Sequence, residues 1–305
     1  MIYRTVDIKL SGMEGKVFDS QEYAKLDIYA PDSYDEIPGC RIRPVVLICP
    51  GGAYGWTSKR EGEPVAFQFL SRGIAAAVLW YSVRPAVFPT ALLEVAASVK
   101  YLRENAAELK LDMNKIIVAG FSAGGHLAAS YGCFWNKRFV RDMLGLEDKH
   151  AAWLKPNGLI LSYPVITAGG KAHRGSIENL MGERREALCS RAMKELTGKD
   201  SPSYEDAIGV FSLEKHVSED VPRTFLWHTA TDEAVPVENS LYFVDALMKA
   251  NINYELHIYP VGGHGISLGN ELTRGGGEDS IRQIVPEVAG WIELAARWVG
   301  LSPKH

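Results

Sequence analysis

Four cysteines in 305 residues, Cys40, Cys49, Cys133 and Cys189, stand far apart with no Cys-x-x-Cys pair, which excludes a zinc ribbon and a disulfide framework. The eight histidines are equally scattered, with no His-x-x-x-His spacing to set two metal ligands on one helix face. No metal or cofactor is therefore expected. No run of five like charges occurs, and 33 basic against 37 acidic residues leave a net charge of −4, which offers no electrostatic footing for nucleic acid or an anionic membrane. Nowhere do 18 apolar residues follow one another, and Met1 to Asp7 lacks a basic segment before an apolar core. The expectation is a soluble, cytoplasmic protein.

What is present is the balance of an ordinary enzyme-sized domain, 47% hydrophobic and 23% charged, and residues 1–305 read as one domain. Val6, Ile8 and Leu10 alternate with polar neighbours, and Leu26, Ile28 and Ala30 form a second short run. Together they predict an antiparallel pair of strands before a turn-rich linker at Pro31 to Gly39. From Val45 to Cys49 the chain is apolar without alternation, the mark of a central parallel strand covered on both faces. Cys49 reads as a small buried hydrophobe. Ser58-Lys59-Arg60-Glu61 has the form of a capping box at the head of a helix carrying Val65, Phe69 and Leu70 and stopping at Gly73.

Further strands are read at Ile74 to Tyr81, Lys115 to Ala119, Leu159 to Tyr163, Thr224 to His228 and Tyr254 to Tyr259. Phe88-Pro89 opens a helix with Leu92, Val95, Ala96, Val99 and Leu102 at helical spacing, and a last helix carries Val288, Trp291, Ile292, Ala295, Trp298 and Val299. Strand and helix in alternation demand parallel pairing through right-handed crossovers, so the predicted fold is an α/β sheet of about eight strands. Between Thr167 and Val221 the pattern changes to charged helical pieces, including Glu183 to Thr197, without a strand-like run. This segment reads as an insertion above the sheet, serving as a lid.

Gly120-Phe121-Ser122-Ala123-Gly124 sits between a buried strand and a helix-compatible run, the context of a nucleophile elbow. The chain must turn from strand to helix within about one residue, which strains Ser122 and demands minimal side chains two positions to either side. A serine hydroxyl needs a histidine base and an acid to orient it, in the chain order Ser, Asp or Glu, His. His264 follows the strand Tyr254 to Tyr259 in a glycine-rich turn and is the expected base. His257 inside that strand and His126 on the elbow helix are the competitors. Asp232 follows the strand Thr224 to His228 and is the expected orienting acid, with Glu233 the adjacent alternative. Cys49-Pro50-Gly51-Gly52-Ala53-Tyr54 ends the Val45 strand, and backbone N–H groups of Gly52, Ala53 and Ala123 are the expected oxyanion donors. Tyr54, Trp56, Trp80 and Tyr81 lie near strand ends where they could stack on a ring, although such aromatics more often fill the core.

On these residues the chain resembles the α/β-hydrolase fold, and more narrowly the serine esterases related to hormone-sensitive lipase, with Pro50 and Ala53 replacing the ends of the usual His-Gly-Gly-Gly loop. It is similar to a bacterial branch of small carbohydrate acetylesterases and feruloyl-esterase-like enzymes in which Pro-Gly-Gly-x-Tyr precedes Ser-x-Arg-Glu, here Pro50 to Tyr54 and Ser58 to Glu61. The likeness continues through Gly120 to Leu127, Asp232 to Pro236 and Gly263-His264-Gly265. It implies a serine carboxylic ester hydrolase that needs no cofactor and removes short acyl groups, acetyl first, from sugars or oligosaccharides. Tyr54 is its candidate substrate contact. A peptidase on the same fold and a catalytically silent binding protein are the alternative readings.

Overall fold

The computed structural model describes residues 1–10, 24–32, 36 and 42–300. In chain order its elements are β1 (Ile2–Ile8), β2 (Ala24–Ala30), β3 (Arg43–Cys49), α1 (Glu63–Leu70), β4 (Ala75–Trp80), α2 (Thr90–Glu104), the single turn α3 (Ala106–Leu109) and β5 (Leu111–Phe121). There follow α4 (Ala123–Phe134), α5 (Arg138–Met143), β6 (Gly158–Ser162), α6 (Arg174–Met181), α7 (Arg191–Thr197) and α8 (Tyr204–Phe211). The chain closes with β7 (Thr224–Thr229), α9 (Glu238–Lys249), β8 (Tyr254–Tyr259), α10 (Pro286–Ala289) and α11 (Trp291–Gly300). The described strands form one eight-stranded sheet in the order β1-β2-β4-β3-β5-β6-β7-β8. β2 runs antiparallel to both β1 and β4, and every pair from β4 to β8 is parallel.

The apolar run that lacks alternation is buried on both faces. In β3, Val45, Leu47 and Cys49 pack with Leu92, Val95 and Val99 of α2 and Leu127 of α4, while Val46 and Ile48 pack with Val65 and Phe69 of α1 and Trp291 and Trp298 of α11. The 167–221 segment joins the first of these cores through Ile177, Leu180, Met193, Val210 and Phe211. It is fastened there by the Phe88 N–H, which donates to the Leu180 carbonyl at 2.9 Å. Among the described residues no helix is long and apolar enough to cross a membrane.

Several elements depart from the sequence expectation. Leu10 lies beyond the end of β1, and most of the 31–39 linker lies outside the described residues. The stretch Glu183 to Thr197 is not one helix: a 3-10 turn (Glu186–Cys189) precedes α7, which Ser190 caps by accepting from the Met193 N–H. The last apolar face is shared by α10 and α11, which break at Gly290. Ser58 makes no side-chain cap; only a 3-10 turn (Lys59–Glu61) forms there, and α1 begins after it. The carboxylate that a capping box would employ, Glu61, is engaged elsewhere, in the candidate site.

One buried acid on α2 couples the fold to pH. Glu94 accepts from the Ser82 N–H at 2.7 Å and from the Ser82 hydroxyl, yet burial outweighs both bonds and raises its pKa to about 7. An unfolded chain ionises this group near ~4.3, so the folded state binds the proton more tightly. Stability is therefore fullest below that value and is lost as pH rises through about 7. A shift of this size corresponds to about 3 kcal/mol above neutrality. Glu94→Gln keeps an acceptor for the N–H and a donor for the hydroxyl but removes the ionisation. Thermal melts should show it clearly stabilised over the parent at pH 8 and nearly equal at pH 5; the same difference at both values would refute the coupling.

Candidate active site

Ser122 is the single residue between β5 and α4, with φ 53° and ψ −118°. A non-glycine residue in that region costs on the order of 1–3 kcal/mol and persists only when its surroundings over-determine it. They do so here: the Ser122 N–H donates to the Ser162 carbonyl at 3.0 Å, and its carbonyl accepts from Val165 at 3.1 Å and His126 at 3.1 Å. The neighbouring glycines are required by close approach. A Cβ on Gly120 would stand 2.0 Å from the Gly124 carbonyl oxygen, and one on Gly124 would stand 2.1 Å from that of Cys49.

The structure brings Ser122, His264 and Asp232 together. Ser122 Oγ lies 2.7 Å from His264 Nε2, and His264 Nδ1 lies 2.7 Å from Asp232 Oδ2. An ionised carboxylate only accepts, so Nδ1 carries the proton and Nε2 is left to accept from the serine hydroxyl. Asp232 has no exposed side-chain surface. Burial alone would raise its pKa. The hydrogen bonds from His228 and His264, the attraction of the His264 ring and the Val235 N–H outweigh burial and hold the carboxyl well below its usual range. Asp232 Oδ1 accepts from the N–H groups of Ala234 at 3.0 Å and Val235 at 2.9 Å, and Oδ2 stands 3.4 Å from His228 Nε2. Glu233 is exposed and turned to a separate surface hollow with Thr231.

The competing histidines have other partners. His257 lies in β8 against Glu255 at 2.8 Å. His126 is buried, its pKa lowered to about 4 by burial, so it is neutral at physiological pH. Its Nε2–H donates to the Phe211 carbonyl at 3.0 Å, which leaves Nδ1 to accept from the Tyr54 hydroxyl at 2.9 Å. That bond corrects the expectation for Tyr54. Its ring is buried against Tyr81 and His126, away from the cavity, because the hydroxyl finds a polar partner in His126 inside the core. Tyr81 is likewise buried, donating to the Pro50 carbonyl at 2.7 Å. Trp56 is the aromatic that reaches the surface, 62% exposed.

Ser122 and His264 open on a cavity of about 540 Å³, walled also by Gly52, Ala53, Trp56 and His173. A larger cavity of about 700 Å³ lies among Arg84, Arg174, Arg185 and Tyr204 and touches none of the three. Ala53 and Tyr54 both hold left-handed backbone, φ 54° and 56°, which turns the 52–54 segment over the cavity. Ala123 heads α4, where the first N–H groups have no carbonyl partner within the helix and the dipole favours negative charge. Among the described residues no three His, Cys, Asp or Glu side chains converge into a metal-holding group.

Residues that the sequence reading passed over hold these parts in place. Glu61, 4% exposed, accepts from the Gly51 N–H at 2.8 Å and the Tyr163 hydroxyl at 2.6 Å. The Tyr163 ring packs edge-on against His264, with centroids 5.1 Å apart, and its oxygen accepts from the Ser267 N–H at 3.0 Å. Arg60 donates to the carbonyls of Gly265 at 3.0 Å and Thr273 at 2.5 Å and to Gln283 at 2.8 Å. One dipeptide thus stitches the 51–54 loop to the loop of His264. Asn179 of α6 donates to the Ala53 carbonyl at 2.8 Å. His228 braces Asp232, and His173 lines the cavity. For Arg60 and Glu61 the signal was Ser58 to Glu61, read as a capping box and as part of the family likeness but given no role in the site.

Comparison with known proteins bears on this arrangement. The BD-FAE family model matches residues 26–247. Endo-1,4-beta-xylanase B of Butyrivibrio fibrisolvens is 32% identical, covering 92% of this chain and 44% of that protein. An acetylxylan esterase of Xylanibacter ruminicola is 27% identical, covering 72% of this chain and 40% of its own length. The chain thus spans less than half of these two curated relatives. A solved acetyl ester-xyloside bifunctional hydrolase from Caldicellulosiruptor lactoaceticus superposes with a TM-score of 0.74 at 30% identity, covering 97% of this chain and 95% of that one.

The brace at Glu61 is directly testable. Glu61→Ala strands two buried donors, at about 1–3 kcal/mol each. We expect a lower melting temperature and hydrolytic turnover reduced by about tenfold or more, with Glu61→Gln, which keeps one acceptor, between the parent and Ala. Melting curves and turnover that match the parent in both variants would remove Glu61 from the site.

Proposed function

Since the chain belongs to the BD-FAE family of α/β hydrolases, we propose that it is a hydrolase in which Ser122 is the nucleophile, His264 the general base and Asp232 the acid that orients His264. The observation that carries this reading is the chain of two 2.7 Å hydrogen bonds from Asp232 through His264 to Ser122, ending in an open cavity. In the proposed reaction Ser122 Oγ attacks an ester carbonyl as His264 Nε2 takes its proton. The backbone N–H groups of Gly52, Ala53 and Ala123 hold the tetrahedral oxyanion. Collapse expels the alcohol, which receives the proton from His264, and leaves an acyl group on Ser122; water then repeats the sequence and releases the acid. Asp232 stays ionised throughout and stabilises the imidazolium.

The substrate we propose is a short acyl ester, acetyl first, of a sugar or oligosaccharide hydroxyl. Support comes from the acetylxylan esterase and the acetyl ester-xyloside hydrolase among the similar proteins. It comes also from Trp56, an exposed indole in the cavity wall of the kind on which a sugar ring stacks. We read the 167–221 insertion as the roof of this site, since it supplies both His173 and the Asn179 bond to Ala53.

Ser122→Ala should fold normally and lose on the order of 10³-fold or more in ester turnover, His264→Ala should lose as much, and the double variant should lose little further, because the residues act as one unit. Near-normal turnover by purified Ser122→Ala would sink the assignment, and additive losses would separate the roles. Asp232→Asn should be crippling through the wrong tautomer and Glu233→Gln nearly silent; the reverse would move the orienting role to Glu233.

For the acyl group, kcat/KM should fall from acetyl to butyryl to octanoyl esters of one alcohol. A deep apolar pocket would instead gain about 0.8 kcal/mol per methylene, so values rising with chain length would exclude the acetylesterase reading.

A further inference from the structure

We propose that His173 selects the alcohol half of the ester, donating a hydrogen bond from Nε2 to a hydroxyl oxygen that neighbours the ester on a sugar or similar polyol. The inference rests on the reading of Ser122 as the nucleophile of an ester hydrolase, and it assigns His173 a contact with the substrate.

The tautomer of His173 is dictated by the helix it caps. His173 is the N-cap of α6, and its Nδ1 accepts from the Ser176 N–H at 3.3 Å. That N–H is shared with the His173 carbonyl at 3.0 Å; since it can only donate, the tautomer that fits leaves Nδ1 bare and carries the proton on Nε2. The Ser176 hydroxyl, 2.9 Å from Nδ1, then donates as well. The ring also lines the cavity that holds Ser122 and His264. Nε2 makes no hydrogen bond with a described residue, and it is absent from the buried polar atoms that lack a partner. We take it to face the cavity that the ring lines. Partial burial and the nearby His264 both lower the pKa of His173, which keeps the ring a neutral donor while His264 works beside it.

A neutral donor fixed in direction suits an uncharged oxygen acceptor. The alcohol half of a sugar acetate carries hydroxyl oxygens next to the ester, and that of an aryl acetate carries none. His173 thus provides discrimination that the reacting groups, which see only the ester carbonyl, cannot supply.

Two substitutions separate the capping nitrogen from the cavity nitrogen. His173→Asn puts an oxygen near the place of Nδ1, keeping the cap, but has nothing at Nε2. His173→Gln puts an amide nitrogen near the place of Nε2 and weakens the cap. The readout is the ratio of kcat/KM for a monoacetylated methyl xyloside to that for p-nitrophenyl acetate, with melting temperature measured alongside. His173→Asn should lower the ratio about tenfold with its melting temperature held, and His173→Gln should keep the ratio while melting earlier. Equal losses on both substrates in His173→Asn, or an unchanged ratio, would overturn the proposal, as would a ratio lost equally in His173→Gln. Ser122→Ala assayed on the same two esters keeps the readings apart: turnover surviving there refutes the nucleophile, whereas its loss together with an unmoved His173 ratio refutes only the selectivity.

Discussion

The contact on which the rest of the site depends is the one between the start of α4 and the end of β3, where the backbone of Gly124 meets the carbonyls of Cys49 and Pro50 with no room for a Cβ. Because these two elements touch, the head of α4 and the loop that leaves β3 lie side by side. An oxyanion site needs donors from separate pieces of backbone aimed at one point, and such aim survives only if the pieces cannot slide. The strained Ser122 is a consequence of the same contact. A helix that must begin against β3 while its strand ends beside it leaves one residue for the turn, and that residue takes a backbone conformation it would not choose alone.

Holding a charged carboxylate beneath this turn poses the second problem. Asp232 is shielded from water, so its ionised form must be satisfied by fixed donors, and it has them on both oxygens: two backbone N–H groups on one and the His264 ring on the other, where the His228 ring also stands 3.4 Å away. Geometry and electrostatics coincide here, since the donors that offset burial also fix the carboxylate plane and hence the ring of His264. Glu61 solves the same problem differently. It takes one backbone donor from the 51–54 loop and one phenol whose ring lies against His264, so that a buried acid ties the two loops through Tyr163.

How much of this was legible in the sequence follows from how local each feature is. The positions of the buried strands along the chain and the doubly covered character of β3 could be read because burial on two faces erases alternation over a few residues. The strand-turn-helix context of Ser122 and the strand-end positions of Asp232 and His264 are local in the same sense. Glu61, Asn179, His228 and His173 could not be read, since their partners lie far along the chain or depend on how loops pack. Glu61 is the instructive case. A serine followed three residues later by a glutamate is the same pattern whether the carboxylate turns back to cap its own helix or forward to Gly51 and Tyr163, and only tertiary packing decides. Tyr54 was misplaced for a similar reason: a tyrosine beside an oxyanion loop can face the cavity or the core, and the acceptor nitrogen of buried His126 draws it inward.

The site therefore divides by origin. Ser122, Asp232 and His264 stand at the ends of β5, β7 and β8, and what holds them comes from the sheet and from the Arg60–Glu61 turn. The insertion contributes at different points: Asn179 reaches one carbonyl of the 52–54 loop, and His173 faces the cavity from the cap of α6. Groups that hold the reacting atoms tolerate almost no displacement, because a misplacement of about 1 Å can cost on the order of 10²-fold in rate. On the proposed reading, groups that meet the remote half of a substrate are under no such restriction, and His173 sits on a segment that contributes no strand to the sheet. On that reading its helices can change which alcohol is accepted while the strands that position Ser122 stay as they are. The Asn179 bond to Ala53 limits this freedom, since it carries a shift of α6 to that loop.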